Sequence, residues 1–290
     1  MKPLSTTKRR VYLGLSGLLF LVLIPILILY ATGYRFTSMS LIKTGGIFIS
    51  IPYSDTKVYI NNSLIKQSGV FQKNAFVQNL KPGTYTIAVE KEGHGSWVKE
   101  LKVFPQTVTE GYPFLFPQKP TIQEILAFHE TATGAATNTK QSKVARKENP
   151  QYAVVTALFK PISVTATSTA TSTGMMKTQR KLSVLNKKGI LFITWNGNLD
   201  SIPHYFCENG VCKDTITIAA NSPILSFDFF PGRDDLIVYS TKSGVFVSEI
   251  DDRSTQNVHT ILIGNNLDVR VYEQETIYIK SNKQYFSVSW

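Results

Sequence analysis

Few residues of this chain stand at spacings that do chemistry. Cys207 and Cys212 are its only cysteines and frame the run Cys-Glu-Asn-Gly-Val-Cys. Asn-Gly is the preferred centre of a two-residue type I′ hairpin turn, because both central positions need a positive φ. With Asn209-Gly210 at that centre, Glu208 faces Val211 and Cys207 faces Cys212 in a non-hydrogen-bonded pair. Cα atoms at such a pair lie about 4.5 Å apart, which a disulfide accepts, so a cross-strand bond is expected. No further cysteine stands nearby at ligand spacing, and no metal is expected there. Asp234-Asp235 and Asp251-Asp252-Arg253 are acidic neighbours of the type a glycosidase or a calcium site uses. Both follow the ends of strand-like runs, where solvated turn residues are the expected role. His94, His129, His204 and His259 are far apart in sequence, and each reads as a surface or core histidine. The chain has no G-x-S-x-G, no phosphate loop and no H-E-x-x-H, so no catalytic residue, cofactor or metal is assigned. Trp97 has two readings: a packed indole, which is preferred, or a platform on which a sugar ring stacks.

The element that positions everything else is the apolar run Val11 to Ala31, 21 residues without a charged side chain. At about 1.5 Å per residue it reaches roughly 30 Å, the thickness of a bilayer's hydrocarbon core. No face of it is polar, as a core helix of a soluble protein would require. Pro25 falls inside the run, which membrane helices tolerate. Lys2, Lys8, Arg9 and Arg10 precede it with no acidic residue among them, whereas only Arg35 and Lys43 follow closely. That asymmetry predicts residues 1–10 as a cytoplasmic tail, 11–31 as a single span and the remainder outside the cytoplasm. Tyr30, Tyr34 and Phe36 suit the outer interface. Ala31 and Gly33 would also fit a cleaved signal peptide, but the apolar run exceeds the usual length of such a region, and an uncleaved anchor is expected.

The formal charge of +11 is unevenly placed. Residues 140–188 hold ten lysines and arginines against Glu148 alone, and the N-terminal tail holds four more. The rest of the chain is slightly acidic, which argues against a nucleic-acid partner. A solvated flexible segment is the expected role of the basic stretch, and contact with anionic lipid or anionic envelope polymer is the second reading.

Beyond a polar stalk at 32–43, strand patterns dominate, with aromatic and β-branched residues between turns rich in Gly, Asn, Asp and Pro. In Thr84 to Val89 the residues Tyr85, Ile87 and Val89 share one face, the period of a half-buried strand. The ordered succession Gly46-Ile47-Phe48-Ile49-Ser50-Ile51-Pro52, Val58-Tyr59-Ile60-Asn61, Leu80-Lys81-Pro82-Gly83-Thr84-Tyr85 and Gly93-His94 followed by Trp97 resembles the PEGA domain. The resemblance covers residues 44–118. It departs at Pro52-Tyr53-Ser54-Asp55, where the name-giving motif would stand, at Asn62 in place of a turn glycine, and at His94 in place of tyrosine. It implies a small extracytoplasmic β-sandwich without catalysis.

Residues 119–180, rich in Thr, Ala and Ser, read as a basic low-complexity linker with one strand at Tyr152 to Phe159. From 181 to 290 eleven short strands are predicted, and Ile224 to Tyr239 resembles a propeller blade of the TolB or WD-repeat kind. Eleven strands fall short of three four-stranded blades, which leaves a partial propeller or a curved sheet stack. The expected fold is therefore mainly β: one transmembrane helix, a PEGA-like sandwich and a partial propeller-like domain. Two functions are open. One is a membrane-anchored extracytoplasmic binding or scaffolding protein of the cell envelope, which engages envelope polymer or another envelope protein. The alternative is an envelope hydrolase with its site on the propeller-like domain.

Overall fold

A computed structural model of the chain describes residues 5–37, 40–69, 73–130, 146–160 and 175–290. The protein is mainly β, with an apolar helix near its N-terminus and several antiparallel sheets. Contacts divide it into two units, Met1–Val89 with Glu100–Pro113, and Glu90–Lys99 with Phe114–Trp290.

In the first unit the helix Thr6–Ala31 runs for 26 residues and buries none of them. Leu18, Leu19, Phe20 and Leu21, which succeed one another at about 100° around the axis, are all exposed. A helix apolar all round that buries none of its residues matches hydrocarbon rather than water. It is long and apolar enough to cross a membrane. Lys8, Arg9 and Arg10 lie in its first turns. The helix stops at Thr32, whose N–H and hydroxyl both donate to the Ile28 carbonyl, and Gly33 follows at φ +85°.

The stalk expected at 32–43 is instead a hairpin. Strand Tyr34–Thr37 pairs with Ser40–Lys43, and Thr44 N–H closes it on the Gly33 carbonyl at 2.9 Å. Tyr34, Phe36, Thr37 and Ile42 are residue types enriched in strands and suit two short strands better than a coil. Beyond it, Gly45–Ser50 lies between Asn74–Leu80, antiparallel, and Val108–Gly111, parallel. A second sheet has the order Ser63–Gln67, Lys57–Ile60, Gly83–Glu90, Trp97–Val103. Asn61 and Asn62, at φ 47° and 65°, close the tight turn between its first two strands. Ile47 and Ile49 are buried in the first sheet, and Val58, Ile87 and Val89 in the second. Ile87 and Val89 thus occupy the inner face that the two-residue period predicts.

The second unit holds three four-stranded antiparallel sheets. The first is Met176–Gln179, Leu182–Lys187, Ile190–Trp195 and Thr215–Ile218. The second is Ser226–Phe229, Leu236–Ser240, Gly244–Glu249 and Val258–Ile263. The third is Leu267–Tyr272, Thr276–Ser281, Gln284–Ser289 and Thr121–Glu124. The final strand comes from far upstream, with Ile122 opposite Val288. It supplies what the eleven predicted strands lacked. Its sequence, Thr-Ile-Gln-Glu, has one apolar residue, and its partner is distant, so no local pattern announces it. Met176–Gln179 is likewise outside the predicted strands, while His204–Phe206, read as strand, is a single 3-10 turn.

Leu236–Ser240 is buried along its whole length because it serves two cores. Ile237 and Tyr239 join a cluster with Leu182, Val184, Ile193 and Phe227, whereas Leu236 and Val238 join one with Val247, Val269, Ile277 and Ile279. Strand alternation alone divides the residues between the two faces. The first strand of each sheet would be an open edge, and Asp228 links all three. Its Oδ2 accepts the Val271 N–H at 3.0 Å and forms an ion pair with Lys177.

The linker expected at 119–180 is therefore partly folded: besides Thr121–Glu124 it contributes the pair Phe128–Glu130 with Arg146–Glu148 and a helix, Pro150–Leu158. The strand expected at Tyr152 to Phe159 is that helix. Asn149 caps it by accepting the Gln151 N–H, and Pro150 takes its first turn, where a missing N–H costs nothing. Tyr152, Val155 and Phe159 then fall on one side and pack with Ile125, Tyr278 and Tyr285. The Thr, Ala and Ser tracts at 131–145 and 161–174 lie outside the described residues.

Candidate functional site

The second unit contains an open cleft of about 360 Å³ beside its first sheet. The turn at Arg180-Lys181 contributes two cations, and the end of strand Ile190–Trp195 contributes Trp195. Leu182 and Tyr205, both buried, line it with apolar surface. Arg180 is ion-paired with Asp234, and Gln179 Nε2 reaches the same carboxylate at 3.4 Å. Lys181 Nζ lies 5.8 Å from the centre of the Trp195 ring and 3.3 Å from Ser201 Oγ. The indole is fixed in turn, since its Nε1 donates to the Asn198 carbonyl at 3.1 Å. Burial, with Asp235 and Asp234 nearby, pushes the Tyr205 phenol up from its ordinary value, so it stays a neutral hydroxyl. An aromatic wall, an apolar lining and a few polar groups at the mouth are the make-up of small-ligand sites in general, which makes this cleft the candidate site.

A second cluster is structural. Strand Trp97–Val103 alternates buried and exposed residues, and that period turns Lys99 inward between Trp97 and Leu101. Lys99 Nζ meets Glu249 Oε1 at 2.6 Å and the Asp251 carbonyl at 2.7 Å, with its side chain fully sealed. Trp97 Nε1 donates to Glu249 Oε2 at 2.8 Å, and Asn257 donates to Oε1 from both its backbone and its amide. Among the described residues no buried side-chain nitrogen or oxygen lacks a hydrogen-bond partner, which is the condition for burying charge. Burial would raise the Asp251 carboxyl, but the Arg253 hydrogen bonds and charge, with Lys99, hold it below the ordinary carboxylate range.

These contacts decide several sequence readings. Trp97 is 1% exposed and spends its one donor on Glu249, so it offers no ring to a ligand, and the packing role stands. The aromatic residue that lines a cleft is Trp195. Cys207 and Cys212 are disulfide-bonded and directly paired, with Cα atoms 4.0 Å apart, and Asn209 and Gly210 both take positive φ. The acidic neighbours turn to different cations: Asp234 to Arg180, Asp235 to Arg233, Asp251 to Arg253, and Asp252 to Lys213. Among the described residues no group of three His, Cys, Asp or Glu is placed to hold a metal. His94 bonds the Glu92 carbonyl, His204 packs edge-on to Tyr205, and the side chain of His129 is outside the described residues. His259 stacks against Phe116 and meets the Phe114 carbonyl at 3.3 Å. Its burial lowers its pKa.

Sequence reasoning passed over Lys99, Glu249 and Trp195, and took Arg180 only as one of the ten cations of a basic segment. For Lys99 the signal was present, because Trp-Val-Lys-Glu-Leu-Lys-Val places a lysine on the apolar face. For the cleft there was none, since its lining comes from four separate segments.

No protein-family model matches the chain, and no curated protein matches it. Among solved structures it is similar to the AfRom2 CNH domain, with a TM-score of 0.26 and 10% identity over 78% of this chain and 70% of that one. At that score the likeness carries no argument about function.

Proposed function

We propose that the protein is a single-pass membrane protein that works outside the cytoplasm as a binding or scaffolding protein of the cell envelope. The observation that carries this reading is the helix Thr6–Ala31, apolar on every side and buried by nothing in its own chain. Such a surface is stable in a bilayer and costly in water. Lys8, Arg9 and Arg10 at its start favour a cytoplasmic N-terminus. A paired Cys207 and Cys212 agrees with an oxidising compartment for the β modules. The PEGA resemblance of residues 44–118 and the aromatic, basic cleft support binding of anionic envelope polymer or of another envelope protein. A glycoside hydrolase of the usual kind would need two carboxylates facing each other across open space, and the acidic neighbours here are engaged with cations instead.

The test is co-sedimentation of the full chain, solubilised in mild detergent, with lipid-free envelope polymer across a salt series. Pelleting that weakens as salt rises supports the reading. No pelleting at any salt removes envelope polymer as the partner.

A further inference from the structure

The cleft beside the first sheet of the second unit constrains its ligand more closely than the general reading does. Its aromatic wall is rigid. A side chain at Gly197 would come within 2.4 Å of the Trp195 ring and 2.6 Å of the Lys181 Cδ, so only glycine lets the chain lie against both. With the Asn198 carbonyl holding Nε1, the ring has little freedom left to lose when a ligand arrives. Its mouth is cationic. Arg180 and Lys181 outnumber Asp234, and the Arg180 side chain is 66% exposed. Asp234 engages one nitrogen of a guanidinium that has five N–H donors, which leaves donors for a second acid. Its volume, about 360 Å³, lies in the range of small-ligand sites, roughly 300 to 1,000 Å³.

We infer that this cleft binds a carboxylate-bearing sugar ring, and that it is where the protein holds an acidic polysaccharide; the inference rests on the polymer-binding function proposed above. The apolar C–H face of the ring lies on Trp195, and the carboxylate reaches Arg180 and Lys181. A neutral sugar leaves both cations unused. A free phosphate has no use for the aromatic wall. An acidic peptide satisfies the cations but presents no flat face to the indole.

The probe is oligogalacturonate, a chain of uronic acid rings, titrated calorimetrically into the full-length protein in detergent micelles. Cello-oligosaccharide of equal length and polyglutamate are the comparisons. Saturable binding of oligogalacturonate is expected, with each comparison weaker by about tenfold or more. Arg180→Gln and Lys181→Gln remove the charge from exposed side chains and should each weaken it by about tenfold at low salt, and Trp195→Ala should weaken it at every salt concentration. Absence of saturable binding overturns the inference, as does binding unchanged in all three variants or polyglutamate binding as tightly. Co-sedimentation separates this failure from that of the broader reading. If the Arg180→Gln, Lys181→Gln double variant pellets with envelope polymer as the parent does, the cleft is not the site and the anchored binding protein stands. If the parent itself fails to pellet, both fall.

Discussion

Lys99 Nζ lies 2.6 Å from Glu249 Oε1 across 150 residues of sequence, and neither side chain is more than 5% exposed. The pair ties the segment Glu90–Lys99 to the second four-stranded sheet of its own unit. Its energetic character follows from burial. Removing Glu249 leaves the buried Lys99 with only the Asp251 carboxylate at 3.6 Å, and breaking a buried pair from one side costs up to about 3 to 5 kcal/mol, whereas removing both partners costs much less. Glu249→Gln is therefore expected to destabilise the second unit by several kcal/mol, and Lys99→Met with Glu249→Gln by less than Glu249→Gln alone. Chemical denaturation of the two variants checks this, and a double variant worse than the single one would contradict it.

His259 gives the fold a pH dependence. Burial lowers its folded pKa below the ordinary 6.5, so the unfolded chain binds a proton more readily. Stability from this group is fully present above pH 6.5 and is lost as pH falls from there through the lower folded value. Thermal unfolding followed from pH 7.5 to 5 should show that decline, and His259→Gln should flatten it.

Gly95 faces the same ring. A Cβ there would stand 2.4 Å from His259 Nδ1. Gly95→Ala is expected to cost about 1 to 3 kcal/mol, the usual range for overpacking, and His259→Ala in the same chain should recover most of it. Equal stabilities of Gly95→Ala and the parent would contradict the contact.

The Cys207–Cys212 bond closes a loop of only a few residues. Its contribution through the unfolded chain is correspondingly small, about 2 kcal/mol. Reduction, or Cys207→Ser with Cys212→Ser, should lower the unfolding temperature by a few degrees without abolishing the β fold, as circular dichroism would report.

How far these features were legible depended on their range. The disulfide was readable because Asn209-Gly210 dictates a turn and the turn dictates the pair. The apolar helix was readable because no polar face interrupts it. The strands of the second and third sheets were readable wherever both partners lie in one hairpin. Thr121–Glu124 was not, because its pairing with Gln284–Ser289 is a tertiary event that leaves no periodic trace in four residues. Tyr152 to Phe159 misled for a related reason: a short apolar run with two valines suits strand or helix, and the Asn149-Pro150 cap decides for the helix. The cleft was hidden most deeply, since Lys181, Trp195, Tyr205 and Asp234 meet only after the sheets assemble.

The capping of that helix is itself testable. Asn149 also donates to the Leu126 carbonyl at 3.0 Å, so Asn149→Ala removes a cap and a tertiary bond together. A loss of about 1 to 2 kcal/mol is expected.

The central claim is that the β modules lie outside the cytoplasm on a single membrane anchor. The most direct measurement fuses a reporter enzyme, active only after export, beyond Trp290 and compares it in whole cells with one active only in the cytoplasm. Activity of the exported reporter, together with retention of the fusion in the membrane fraction after a high-salt wash, is the predicted result. Activity of the cytoplasmic reporter would contradict the orientation, the oxidising compartment and the polysaccharide ligand together.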